Sequence, residues 1–247
     1  MAFPRFYCPG LAVGHLRVDL PPAAAHHAAR VLRLKVGDAV GLFDGCGAEA
    51  LGAIVSIGRD KVRVEVLRWQ TQAPAPALRL TLVQALCAQE KMDWVVQKAV
   101  ELGVTRIQPV AAERSVVRLA PDRASRRREH WEGVAIAACE QCGRSHLAEV
   151  APLRPLKAWI EEASPPSEAE RRLVLTLEAS SALSALEPPG SAVTILVGPE
   201  GGFTEREVRD AVGAGFQPVK LGPRVLRTET AAIAALAAIQ TLWGDLR

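Results

Sequence analysis

Two short segments hold residue types able to do chemistry. The first is Gly198-Pro-Glu-Gly-Gly-Phe-Thr204, which follows an apolar run of buried-strand type and precedes a capping-box pattern, Thr204-Glu-Arg-Glu207. Glycines at 198, 201 and 202 permit backbone angles closed to other residues and a close approach of the chain to a ligand. The bland alternative is a tight strand-to-helix turn. The loop lacks the Gly-Lys-Ser/Thr of a nucleotide P-loop. It is also not a G-x-G-x-x-G opening a first βα unit. An open-sheet methyltransferase of the usual kind would want a glycine-rich first turn near 86–90, and none is there. The second segment is Leu221-Gly-Pro-Arg-Val-Leu-Arg-Thr-Glu-Thr-Ala231, with two arginines, one carboxylate and two hydroxyls between a strand end and a helix start. Taken alone it reads first as a capped helix: Thr228 the cap, Glu229 complementing the dipole, the arginines in solvent.

A third group, Cys139-x-x-Cys142 flanked by His130 and His146, invites a zinc reading. One such pair inside a helix, with no matching second pair, fits buried thiols better, and no metal is expected. The five cysteines are odd in number and mostly scattered, which points to reduced thiols and a cytoplasmic protein.

These segments need a scaffold. With 49% hydrophobic and 23% charged residues the chain has an ordinary globular composition. The net charge of +3 names no partner, but residues 114–128 hold six arginines against one acid, Asp122. That excess suits either a phosphate backbone or a solvated helix face. The N-terminus lacks a signal-peptide layout, and the longest apolar stretch, 231–244, is too short to span a membrane.

The uncharged, proline-containing segment 70–77 divides two textures. Before it, strand-like runs at 39–43, 50–57 and 62–67 surround one short helix near 23–32, the pattern of a small β-barrel-like module. After it, strands and helices alternate as in an α/β layer with a parallel sheet. The expected strands are 78–86, 106–110, 173–177, 193–197 and 219–221. The expected helices are 90–102, 122–142, one from 204 to about 213–215, and 228–243. Residues 161–172 read as a surface loop. The domains predicted are 1–72 and 76–247.

The two glycine-containing segments together resemble the cofactor-binding loops of the RsmE family, uridine-N3 methyltransferases of 16S ribosomal RNA. The resemblance extends to Lys91-Met-Asp-Trp-Val-Val-Gln-Lys-Ala-Val-Glu-Leu-Gly-Val104, Glu113-Arg-Ser and Ala138-Cys-Glu-Gln-Cys-Gly-Arg144. It also takes in His26-His-Ala-Ala-Arg-Val-Leu-Arg33, Gly37-Asp38 and Phe43-Asp-Gly45 of a PUA-like RNA-binding domain. Nearly the whole chain is covered, in family order; Cys142 stands where the family typically has Ser.

This resemblance implies a SPOUT-type α/β domain with a C-terminal deep trefoil knot, preceded by a PUA-like β-barrel. It also implies a homodimer acting on 16S rRNA or the small ribosomal subunit, away from membranes. S-adenosyl-L-methionine would be held by Leu196, Gly198, Pro199, Glu200, Gly201, Gly202, Leu221, Gly222, Leu226 and Thr228. Arg227 and Glu229 are the expected catalytic pair, with Glu200 as second carboxylate. Arg5, Arg30, Arg33, Lys35, Arg114, Arg118 and Arg144 are expected to meet RNA. Two other functions stay open: a knotted ribose 2′-O-methyltransferase, and a non-catalytic RNA-binding assembly factor.

Overall fold

The computed structural model describes residues 3–59, 61–165 and 167–246. Contacts group it into two units, Met1–Ala75 with Ile136–Leu147, and Pro76–Ala135 with Ala148–Arg247.

In the first unit, β1 (Arg5–Tyr7), β2 (Arg17–Asp19), β3 (Ala39–Phe43), β4 (Glu49–Ile57) and β5 (Val62–Trp69) form one sheet in the order β1-β3-β4-β5-β2. All pairings are antiparallel except β1 with β3. No ladder joins β1 to β2 among the described residues, so the sheet is a half-barrel, which fits the small barrel-like module expected. Residues 49–55 of β4 alternate between buried and half-buried, as a sheet with one covered face requires. Phe6, Leu20, Ala28, Leu42, Ile54 and Val64 fill its core. The helix α1 (Pro22–His26) begins with proline at its first position and continues as a π-helical turn, His27–Val31. Two residues beyond it, Arg33 has a left-handed φ of 54°, which costs a non-glycine residue about 1 kcal/mol.

The second unit is a parallel sheet of seven strands. They are β6 (Arg79–Ala85), β7 (Arg106–Ala111), β8 (Glu149–Val150), β9 (Arg154–Pro155), β10 (Glu170–Leu175), β11 (Ala192–Val197) and β12 (Gln217–Val219). The order is β12-β10-β11-β6-β7-β8, with β9 also on β7. Helices α2 (Gln89–Glu101), α4 (Leu156–Glu161), α5 (Glu205–Gly213) and α6 (Thr228–Trp243) belong to this unit, α2 packing on α6 and α4 on α5, while α3 (Pro121–Cys142) has residues 121–135 in it and 136–142 in the first. Strands β6 and β11 are buried almost throughout, the condition of a parallel sheet covered on both faces.

The expected loop at 161–172 is partly wrong, because β10 begins at Glu170. Its first three residues are charged and hid the strand, yet each is partnered. Glu170 accepts from Thr194 at 2.8 Å and pairs with Arg172 at 3.0 Å, and Arg171 donates to Gln217 at 3.3 Å. Strands β1, β2, β8 and β9 and helix α4 also went unread, being too short to show a period.

No described helix is long and apolar enough to cross a membrane. In α6 the buried face is Ala231, Ala232, Ala235, Leu236 and Ile239, and it includes one amide, Gln240. Gln240 donates to the Leu102 carbonyl at 2.9 Å and accepts from the Asp245 N–H at 3.3 Å, tying the ends of α2 and α6 together. Replacing Gln240 by Ala strands a buried carbonyl and leaves a void, so we expect a loss of about 2–3 kcal/mol. Thermal melting should fall by about 5–10 °C; an unchanged melting temperature would refute this account of the α2–α6 join.

Candidate active site

Strands β12, β10 and β11 are neighbours and parallel, so their carboxyl ends lie side by side. The chain leaving each end contributes to one pocket: 175–178 after β10, 197–203 after β11, and 220–228 after β12. Its volume is about 600 Å³, within the range of a small-molecule site. Ligands of open α/β sheets bind at this edge because loops there can diverge around them.

The loop 198–203 is held from three sides. Thr204 caps α5 and forms a reciprocal capping box with Glu207, whose other oxygen accepts the Glu113 N–H at 2.8 Å. Arg114 donates to the carbonyls of Gly201 at 3.1 Å and Phe203 at 3.4 Å. Thr228, in the first turn of α6, donates to the Gly198 carbonyl at 2.5 Å and accepts from the fully buried Gln84 amide at 3.0 Å. At Gly202 (φ 67°) and Gly222 (φ 106°) an added Cβ would meet nothing within 4 Å. Both turns need glycine for their backbone angle, and both leave the space beside them open.

A charged cluster stands on one wall. Glu200 accepts from the Ala88 N–H at 3.1 Å and from Lys91 at 3.2 Å, and Lys91 also lies 3.5 Å from Glu229. Burial works against the Glu200 charge, but hydrogen bonds from the Ala88 and Glu200 N–H groups and from Lys91 outweigh it and keep its carboxyl below the ordinary value. The hydrogen bond to Glu200 outweighs burial in holding Lys91 above its ordinary value. Glu229 is mostly buried, and its Oε2 faces the Lys91 ammonium at 3.5 Å, which helps to raise Lys91.

Of the residues expected to hold a cofactor, Gly198, Pro199, Glu200, Gly201, Gly202, Leu221, Leu226 and Thr228 line the pocket. Leu196 does not; it is fully buried in the sheet core, and Val197 takes the wall position because successive strand residues face opposite ways. Gly222 shapes the turn without lining the pocket. Arg227 lines it, whereas Glu229 stands behind Lys91.

Sequence reading missed Lys91 and the 175–178 segment. The available signals were a lysine in the first turn of α2, where its charge opposes the helix dipole, and the carboxyl end of an apolar strand. Among the residues expected at RNA, Arg30, Arg33, Lys35 and Arg118 are exposed. Arg5 is spent internally, donating to Gly143, Arg144 and Ser145 and stacking on Phe43. Arg114 is committed to the loop, and Arg144 is half-buried. Among the described residues no three His, Cys, Asp or Glu side chains could hold a metal.

Comparison with known proteins agrees with this geometry. Residues 73–240 match the RNA methyltransferase domain family and residues 20–67 the RNA methyltransferase PUA domain family. The ribosomal RNA small subunit methyltransferase E of Buchnera aphidicola is 32% identical over 243 residues, covering 98% of each chain. The chain belongs to the ribosomal RNA small subunit methyltransferase E family. The Bacillus subtilis member of this family is 33% identical over 222 residues, 87% of this chain and 86% of its own. The family member from Neisseria gonorrhoeae, solved bound to S-adenosyl methionine, is 40% identical and superposes with a TM-score of 0.90 over 100% of both chains.

Burial, then Glu200 and Glu229, push the Cys87 thiol behind this wall up to about 12; burial and Glu140 do the same to Cys8. At pH 8 both therefore stay protonated, while Cys46 is exposed. Iodoacetamide on the folded protein should modify Cys46 and spare Cys8 and Cys87, as read by peptide mass spectrometry. Rapid labelling of Cys87 would mean that the wall is open.

Proposed function

We propose that this protein methylates N3 of a uridine in 16S ribosomal RNA, using S-adenosylmethionine held in the pocket at the carboxyl ends of β10, β11 and β12. The convergence of the 198–203 and 220–228 loops on one glycine-walled pocket carries this reading. It is supported by the names of the relatives, which act on small-subunit ribosomal RNA, and by the cofactor in the Neisseria structure. The reading includes a trefoil-knotted path of the C-terminal segments, a homodimer and a cytoplasmic setting.

The residues present fit that cofactor. The glycine turns leave open space beside the backbone, and Glu200 sets a carboxylate in the wall, where a cationic ligand is favoured. Bound there, S-adenosylmethionine supplies an electrophilic methyl group on a sulfonium whose leaving group is a neutral thioether. The protein's task is then to orient uracil and manage the N3 proton. Arg227, at the pocket and at the N-cap of α6, stabilises negative charge growing on a uracil carbonyl oxygen. The proposed acceptor of that proton is the Glu229 carboxylate, which lies 3.5 Å behind the pocket-lining Lys91 ammonium. Glu200 is bound by Ala88 and Lys91 and held below the ordinary carboxylate range, so it is the poorer base and the better anchor. Because N3 lies on the pairing edge, the base must be unpaired or flipped.

RNA contact falls to the exposed Arg30, Arg33 and Lys35 of the half-barrel, beside a concavity of about 250 Å³ lined by His26, Arg30, Arg59 and Lys61 among others.

Three measurements test this. Loss of the gene should remove N3-methyluridine from small-subunit ribosomal RNA nucleosides; loss of a 2′-O-methylated nucleoside instead would overturn the assignment. Glu229→Gln should lower single-turnover methylation by about 100-fold or more while cofactor affinity stays within about threefold; near-normal turnover removes Glu229 from the chemistry. Reversing charge at Arg30 and Arg33 should weaken RNA binding and flatten its salt dependence, and an unchanged salt slope would exclude this surface.

A further inference from the structure

Lys91 joins three elements that are distant in sequence. It sits in the first turn of α2, contacts Glu200 at 3.2 Å in the loop after β11, and lies 3.5 Å from Glu229 in the first turn of α6. Helix stability does not explain a lysine there, since a cation at a helix N-terminus opposes the dipole. The same corner lacks an ordinary cap: Ala88 has no side-chain oxygen, and Glu200, 112 residues away, accepts its N–H instead. Lys91 also lines the pocket, which Glu229 does not.

We propose that Lys91 is a positioning residue for methyl transfer: its ammonium ties the Glu200 loop to the start of α6 and sets the charge balance of the two carboxylates it joins. This rests on the reading above that a carboxylate of this cluster takes the N3 proton. Both carboxylates meet the same ammonium, so its removal leaves two like charges facing each other without a cation between them. The other charged groups around the pocket are Lys220, Arg224 and Arg227 from the chain after β12 and Glu178 from beyond β10. Cys87, just before α2, stays a neutral thiol through the working pH range.

The sign follows from Coulomb's law. Without the cation a carboxylate holds its proton to higher pH, so the acidic limb of the rate profile must move upward. The test measures single-turnover methylation against pH, with saturating RNA and cofactor, for wild type, Lys91→Met, Lys91→Arg and Glu229→Gln. Lys91→Met should be at least about tenfold slower at neutral pH, with its acidic limb displaced upward by about one pH unit. Lys91→Arg keeps the charge and should leave the limb within about 0.3 unit of wild type. A limb that stays in place in Lys91→Met, even with a reduced rate, reduces Lys91 to a structural tie and overturns the proposal; so does a Lys91→Arg limb that moves as far as that of Lys91→Met. If Lys91→Met fails to fold, Lys91→Gln is judged by the same displacement. Normal turnover in Glu229→Gln is a different failure: it rejects Glu229 as base, and the limb displacement then decides whether Lys91 acts through Glu200.

Discussion

The hydroxyl of Thr228 stands between a buried amide and a loop carbonyl, accepting from Gln84 and donating to Gly198. Gln84 lies near the end of β6, Gly198 begins the loop after β11, and Thr228 opens α6. One side chain therefore registers the central sheet, the glycine loop and the last helix against each other. A hydroxyl suits this position because it donates and accepts at once, and in a dry interior each of those bonds is expensive to leave unmade. Valine would fit the space and break both.

The sheet order makes that registration useful. Placing β10 between β11 and β12 brings three carboxyl ends together, although the strands are separated in the chain by two long connections, the second of which holds α5. The backbone leaving those ends cannot continue the ladder; Thr228 and Arg114 hold the carbonyls of Gly198, Gly201 and Phe203, and the remaining loop groups can face a ligand. The glycine turns at 202 and 222 keep the backbone accessible. The capping box of α5 and the guanidinium of Arg114 keep the loop from relaxing into the opening. Rigidity here lowers the entropy lost when a ligand is held in a reactive alignment.

Electrostatics around the pocket are divided by solvent access. Glu200 and Lys91 are partly exposed and mutually neutralising, whereas Glu229 is more deeply set and faces the same ammonium at 3.5 Å. The half-barrel follows a different economy. Its exposed Arg30 lies in the π turn, and the left-handed Arg33 and Lys35, also exposed, lie just beyond it.

Motif content, the α/β character and the longer elements were legible in the residues alone, because period, capping pattern and glycine spacing are local properties. The 198–204 and 221–231 segments showed a glycine-rich turn and a helix start, their binding role coming only with the family resemblance, and α2, α3 and α6 were read to within a residue or so at each end. Tertiary structure decided what locality could not reach. It paired the charged start of β10 with Thr194 and Gln217, turned Leu196 into the core and Val197 to the pocket, and committed Arg5 and Arg114 to carbonyls of their own chain. It also brought Lys91 to two carboxylates more than a hundred residues away. A side chain's type is written in the sequence, but whether its charge meets solvent, a ligand or another part of the chain depends on which strands become neighbours, and that is settled only when the sheet closes over its core.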